Sequence, residues 1–452
     1  MLLAMAETVA KPTNADGIPT TLFHPRAVRF WLAVLLMGVS TGLGAAALTK
    51  LLEVVQHLVW RGSGTDILEA GRQASLERHI LVLLAAGLLT GVGQFLLKRL
   101  SSGNSIDTTA AIWFHAGRMP ALRTLGSAIL SIFVVGMGAS LGREGAPKQV
   151  GAVFANLFSD AEDLSDEQRR LLVACGAGAG MSAAYGVPLG GALFSLEVMR
   201  GKLALRYVLP ALFASLIATA VSWIFLPDQP TYLIPSFPLS ASVIVWSLLA
   251  APIAAFGSVA FVRLVRWADQ HKPSGWERFI APAVVLTLLG VVSFWFPQIL
   301  GNGKDISQLL FSDQVAPRLI LTLLLLKPLA TILCIRSGVP GGLFTPSLTF
   351  GALLGGVLGY AWSWFWPGVP PALFALLGAG AILAATTQGP ISAVVLVMEL
   401  TGRDRSFILP LLLIACLSTL IARSIEQRSI YDAKLSDEEV AERQRLREQP
   451  TI

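Results

Sequence analysis

Long apolar stretches follow one another along most of the chain, and short polar links separate them. In the first half they cover 30–60, 79–97, 122–140, 171–184 and 207–225, with shorter apolar pieces at 150–158 and 189–199. In the second half they cover 240–265, 280–296, 319–335, 348–366, 372–387, 391–400 and 407–421. A helix needs ~20 apolar residues to cross a bilayer, so most of these runs predict spans or near-spans, and 30–60 is long enough to be tilted. The links at 61–78 and 159–170 are polar, and the second is charged enough to be expected in water. A proline-rich run near 228–238 is a natural boundary between halves. The expected organisation is therefore a leader at 1–25, a first membrane repeat at 26–227, a linker at 228–239, a second repeat at 240–431 and a charged, helix-prone tail at 432–452. The fold class is an all-α polytopic membrane protein.

Composition sharpens this picture. Of 452 residues, 54% are hydrophobic and 14% are charged, against roughly 25% charged in soluble domains; mean hydropathy is +0.67. The net charge of +6 sits largely in short connections such as Lys98-Arg99 and Arg169-Arg170, where it sets topology. No basic run interleaved with aromatics suggests nucleic acid. Cys175, Cys334 and Cys416 are isolated in apolar surroundings and read as small packing residues. No metal-ligand spacing, nucleophile–base pair or phosphate loop is visible, so neither a metal, a cofactor nor an enzyme is expected. The polar N-terminus lacks the pattern of a cleaved signal.

One stretch stands out: Ser140-Leu-Gly-Arg-Glu-Gly-Ala-Pro147. Arg143 and Glu144 lie side by side deep in apolar sequence, among residues that let backbone approach closely. Pro147 suits the first turn of a helix, so a helix start is expected near Ala146. Helix N-termini offer unpaired N–H donors to anions. Broken backbone inside a membrane survives only where protein buries it or where it lines a wet cavity, and an ionisable residue there is a functional candidate. These residues point to an anion pathway with Glu144 in it.

The two halves also repeat. Gly176-Ala-Gly-Ala179 precedes Pro188 by the same interval that separates Gly378-Ala-Gly-Ala381 from Pro390, and Glu197 and Glu399 follow those prolines at equal distance. Glu144 and Phe344 likewise stand at matching distances before Gly151-Ala152 and Gly351-Ala352. Repeats joined by broken helices characterise transporters and related channels. For Glu197 and Glu399 a structural role, bonding backbone or a neighbouring arginine, is the plainer expectation.

At these residues the chain resembles the CLC family of chloride channels and proton/chloride antiporters. Gly142-Arg-Glu-Gly-Ala146 is similar to the family's GREGP, with alanine for proline; Gly341-Gly-Leu-Phe-Thr-Pro346 resembles GGIFAP; Gly186 to Glu197 resembles the GxFxxE region; and Tyr431 sits at the family's central tyrosine. The resemblance implies an inverted repeat of tilted and broken helices, a homodimer with one anion pathway per subunit, cytoplasmic termini and, for a bacterial member, the inner membrane. It implies that Glu144 is the external gating glutamate, and that amides near Gly142, Arg143 and Gly145 and of Leu343 and Phe344 coordinate chloride, with the Tyr431 hydroxyl donating to a central anion. Two departures matter. Asn104, with Ser105 beside it, takes the place of the family's central serine, which bears on the choice of anion. Val198 occupies the internal proton-glutamate position and cannot relay a proton, which favours channel-like conduction. Proton-coupled exchange is the alternative, and a scaffold or sensor that has lost transport is a third reading.

Overall fold

The computed structural model describes residues 17–19, 26–61, 66–100, 107–237, 239–402 and 407–448. The first half forms α1 (Ala27–Trp60), α2 (Ile67–Gln73), α3 (Leu76–Leu100), α4 (Thr108–Phe114), α5 (Ala121–Gly136), α6 (Gly145–Ala161), α7 (Asp166–Tyr185), α8 (Pro188–Leu193) and α9 (Leu205–Ser222). The second forms α10 (Ala241–Gln270), α11 (Glu277–Trp295), α12 (Lys304–Phe311), α13 (Pro317–Ser337), α14 (Phe344–Phe365), α15 (Pro371–Thr387), α16 (Pro390–Thr401) and α17 (Ile408–Ile425), and α18 (Asp437–Glu448) follows. Among the described residues eight helices are long and apolar enough to cross a bilayer: α1, α3, α9, α10, α11, α13, α14 and α17. The protein is an integral, multi-pass, all-helical membrane protein.

Two helices form the heart of the bundle. α7 and α15 are buried on nearly every face, as expected of helices without a polar stripe. Their small residues let neighbours approach closely. α6 crosses α7 where Gly151 meets Gly176, and α14 crosses α15 where Gly351 meets Gly378. At all four glycines an added Cβ would collide with the backbone carbonyl of its partner glycine. α7 starts with a capping box: Gln168 N–H donates to Ser165 Oγ at 3.3 Å and Ser165 N–H to Gln168 Oε1 at 3.1 Å, satisfying two otherwise orphaned donors.

The halves are related by reciprocal contacts. The breaks before α6 and α14 lie against each other. Gly142 N–H donates to the Gly342 carbonyl at 2.8 Å, and Gly342 N–H donates back to Gly142 at 2.7 Å, an antiparallel bridge between equivalent residues. Glu197 accepts from Ile391 N–H at 3.2 Å and Ser392 N–H at 2.6 Å, in the first turn of α16. Glu399 accepts from Leu189 N–H at 3.0 Å and Gly190 N–H at 2.6 Å, in the first turn of α8. Each glutamate thus caps the other half's helix, the backbone-bonding role expected of the pair. Antiparallel pairing of matched residues is what an inverted repeat requires.

Several local expectations shift. The helix expected near Ala146 and the apolar run at 150–158 belong to one helix, α6, which starts at Gly145. The run at 189–199 splits into α8 and a π-helical turn over Phe194–Arg200. The link at 61–78 contains α2, capped by Asp66. The link at 159–170 is not wholly aqueous: Asp160 is exposed, but Arg169 is buried and pairs with it, because α7 carries its first turn into the protein interior. The tail is helical, as its composition suggests, and it docks on the membrane region. Arg443 of α18 is fully buried, pairs with Asp432 and donates to the Val198 carbonyl at 2.9 Å.

Candidate functional site

Glu144 occupies the cap position of α6 and is 2% exposed. Its carboxylate leaves its own helix and lies across the N-terminus of α14. Phe344 N–H donates to Oε1 at 2.6 Å, and Thr345 N–H reaches the same oxygen at 3.4 Å. The Thr345 hydroxyl donates to Oε2 at 3.2 Å, and the Tyr185 hydroxyl approaches it at 3.4 Å. Tyr185 and Thr345 also contact each other at 3.1 Å. Four neutral donors, three from the start of α14 and one from the last residue of α7, therefore converge on the Glu144 carboxyl, and the α14 end adds roughly half a positive charge. Gly142 and Gly342 permit this closeness, since a Cβ on either would run into the Glu144 carboxylate.

Arg143 does not pair with its neighbour. Its guanidinium lies 5.0 Å from the Tyr185 ring centre, and no ion pair joins it to Glu144 among the described residues. Gly145 opens α6, with Gly342 backbone against it. Leu343 is the residue before α14, and its carbonyl accepts from Ser347 N–H at 3.0 Å. The second amide on Glu144 comes from Thr345.

Tyr431 sits in a short turn, Ile430–Asp432. Its ring packs edge-on against Phe194 at 5.4 Å, and the Lys148 ammonium lies 4.5 Å from its centre. The Tyr431 hydroxyl is buried with no hydrogen-bond partner among the described residues. A buried donor of this kind needs an acceptor, which suits a residue facing an anion. The turn is fixed by Asp432, which accepts from Ser429 N–H at 2.9 Å and Ser429 Oγ at 2.7 Å. Val198 is buried in the π-helical turn against Gly389. Asn104 and Ser105 lie outside the described residues.

Beside Tyr431 a cavity of about 790 Å³ is lined by Gly145, Lys148, Leu343, Tyr431, Asp107 and Lys434, among others. Asp107 caps α4, accepting from Thr109 N–H at 2.9 Å, and Lys434 reaches its carboxylate at 3.3 Å. Burial alone would raise this carboxyl, but Lys434 and then Lys148 oppose it and hold it down to about 2. Asp107 therefore stays ionised and keeps Lys434 engaged.

The structure brings Gly142, Glu144, Gly145 and Phe344 to one place and sets Tyr431 at the wall of the adjoining cavity. Sequence reasoning missed Tyr185, Thr345 and Lys148. Each had a signal: a polar side chain at or beside a break in apolar sequence.

Comparison with known proteins agrees with this geometry. The sequence model of the family described as "Voltage gated chloride channel" matches residues 83–423. The chain is 28% identical to a voltage-gated ClC-type chloride channel, ClcB, of Citrobacter koseri, over 88% of this chain and 97% of that one. It is 27% identical to the H(+)/Cl(-) exchange transporter ClcA of Vibrio campbellii, over 89% of each. Among solved structures, a slow cyanobacterial Cl-/H+ antiporter has the same fold, with a TM-score of 0.79 at 21% identity over 92% of this chain and 99% of that one. With its repeat, its paired breaks and a match over most of its length, the chain belongs to the voltage-gated chloride channel, or CLC, family.

Proposed function

We propose that this protein carries chloride or another small anion across a bilayer through a path gated by Glu144, by channel-like passive conduction. The observation that carries the reading is the Glu144 carboxylate on the α14 amides. A carboxylate is itself an anion. Seated there it blocks the place a permeant ion would take, and protonation or displacement frees it. Neutral amides attract an ion strongly enough to replace water yet weakly enough to release it. Amides around Arg143, Gly145, Leu343 and Phe344 line this path in the proposal, with Tyr431 and the Asn104-Ser105 segment at its central site; Gly142, expected among them, instead spends its N–H on the Gly342 carbonyl and serves by leaving room for the Glu144 carboxylate. Val198 leaves no carboxylate at the internal proton position, which favours uncoupled conduction. Proton-coupled exchange is the second reading, and the likeness to ClcA favours it. The proposed assembly is a homodimer with one path per subunit and cytoplasmic termini, in a bacterial inner membrane; no enzymatic role is assigned.

Reconstitution in liposomes tests this. Purified protein with a chloride gradient should collapse that gradient without moving protons uphill. Chloride flux that drives proton accumulation would establish exchange instead, and absence of any anion flux would overturn the transport reading.

A further inference from the structure

Lys148 has entered so far only through its charge on Asp107 and its place over the Tyr431 ring. It follows Glu144 by one turn on α6, where its N–H donates to the Glu144 carbonyl at 3.3 Å. Its side chain is half-buried and lies over the Tyr431 ring. Cations set in apolar protein are normally paired with acids or placed to act on something. The cavity it lines carries mostly basic charged residues, Lys272, Arg278 and Lys434 among them, against Asp107 and Asp269. Both acids are already taken: Asp269 pairs with Lys272 and Asp107 with Lys434. Among the described residues Lys148 has no carboxylate partner. The Lys148 ammonium therefore rests on the face of the Tyr431 ring with no ion pair among the described residues, and the buried hydroxyl of that same ring has no acceptor.

We infer that Lys148 is an anion ligand at the Tyr431 end of the path, and that it biases the protein toward compact, charge-dense monovalent anions. The inference rests on the transport reading above. Amides alone make a weak-field site, which tolerates large, easily dehydrated ions. An ammonium is a compact point charge with three donors, and it rewards an ion that brings its charge close. A full positive charge also holds the ion longer, so Lys148 slows release while it sharpens selection.

The test uses the full chain purified in detergent and reconstituted in liposomes. Chloride binding is measured by calorimetry, and relative thiocyanate and chloride fluxes are measured in vesicles, for the parent, K148M and K148R. Loss of a charge-assisted contact should weaken chloride binding in K148M about tenfold and raise the thiocyanate-to-chloride flux ratio. K148R keeps the charge but spreads it over a planar guanidinium, so chloride binding should fall less than in K148M while the thiocyanate-to-chloride ratio still rises. If K148M elutes as the parent does but binds chloride equally and keeps the same ratio, Lys148 only braces the Tyr431 ring and the inference is wrong. If K148M does not fold, K148Q serves as the neutral variant, with the same outcomes decisive. A parent that neither binds nor carries anions would instead bring down the transport reading, and this inference with it.

Discussion

Glu144 is held by donors drawn from positions far apart in the chain, Tyr185, Phe344 and Thr345. The glutamate itself was legible in sequence, because an Arg-Glu pair flanked by glycines is out of place in an apolar run. Its partners were less so, because nothing local announces which broken helix will face which. If the carboxylate competes with the permeant ion, lowering external pH protonates it and raises flux. Glu144→Gln keeps the shape but removes both charge and titration, so its anion flux in liposomes should be high and flat across external pH. A Glu144→Gln protein with the parent's pH response would show that another group gates. Glu197 and Glu399 act differently, each bonding two amides of the opposite half. Removing such an acceptor leaves helix-end donors unmet and costs about 1–3 kcal/mol. Glu399→Ala should therefore unfold at lower temperature in detergent, and an unchanged midpoint would mean that water replaces the carboxylate at no cost.

At the level of helices, apolar length foretold most spans but placed several ends wrongly. Hydropathy reports which residues avoid water, whereas a helix ends where its backbone bonds end. The start of α6 at Gly145 was legible only from Pro147 and the glycines around it, not from the apolar run at 150–158, and the π-helical turn at Phe194–Arg200 has no hydropathic signature. The Gly/Ala stretches were legible as marks of a repeat, and the crossings show what they do, which is to let helices pack backbone to backbone. At Gly176 a side chain would meet the Gly151 carbonyl. Gly176→Val should push α6, and Glu144 with it, away from α7. Size-exclusion profiles should show aggregated or dissociated protein, and the matched change Gly378→Val should behave alike. A monodisperse Gly176→Val protein with parent activity would mean that the crossing has slack. Tail docking was not legible either. Arg443 reads as one more charge in a polar helix, and only the fold shows that it is buried against Asp432, Trp113 and the Val198 carbonyl.

For the molecule as a whole, apolar side chains stay exposed near the ends of α8, α9 and α16, including Leu189, Leu205 and Ile391. If the proposed homodimer meets through the helices that end at Glu197 and Glu399, Leu189 and Ile391 face the partner. With exposed Cys416 replaced by serine, a cysteine at Leu189 should cross-link two subunits in membranes, and monomer alone on non-reducing gels would place the interface elsewhere. The tail contributes at this scale too. Because Arg443 holds the turn that carries Tyr431, Arg443→Met should weaken chloride binding by calorimetry, although it lies outside the path. Equal binding in that variant would mean that the turn stands by itself. Finally, the pairing of Gly142 with Gly342 places matched positions of the two halves opposite one another, so a perfect copy of the first half in the second would read the same from either face of the membrane. The twins are not copies. Glu144 stands opposite Phe344, and Lys148 corresponds to Leu348. The scaffold is palindromic while its chemistry is not, and that mismatch gives the molecule a front and a back. Vesicles holding protein in both orientations should lose only a share of their flux when outside pH silences one population, and the share should equal the fraction facing outward.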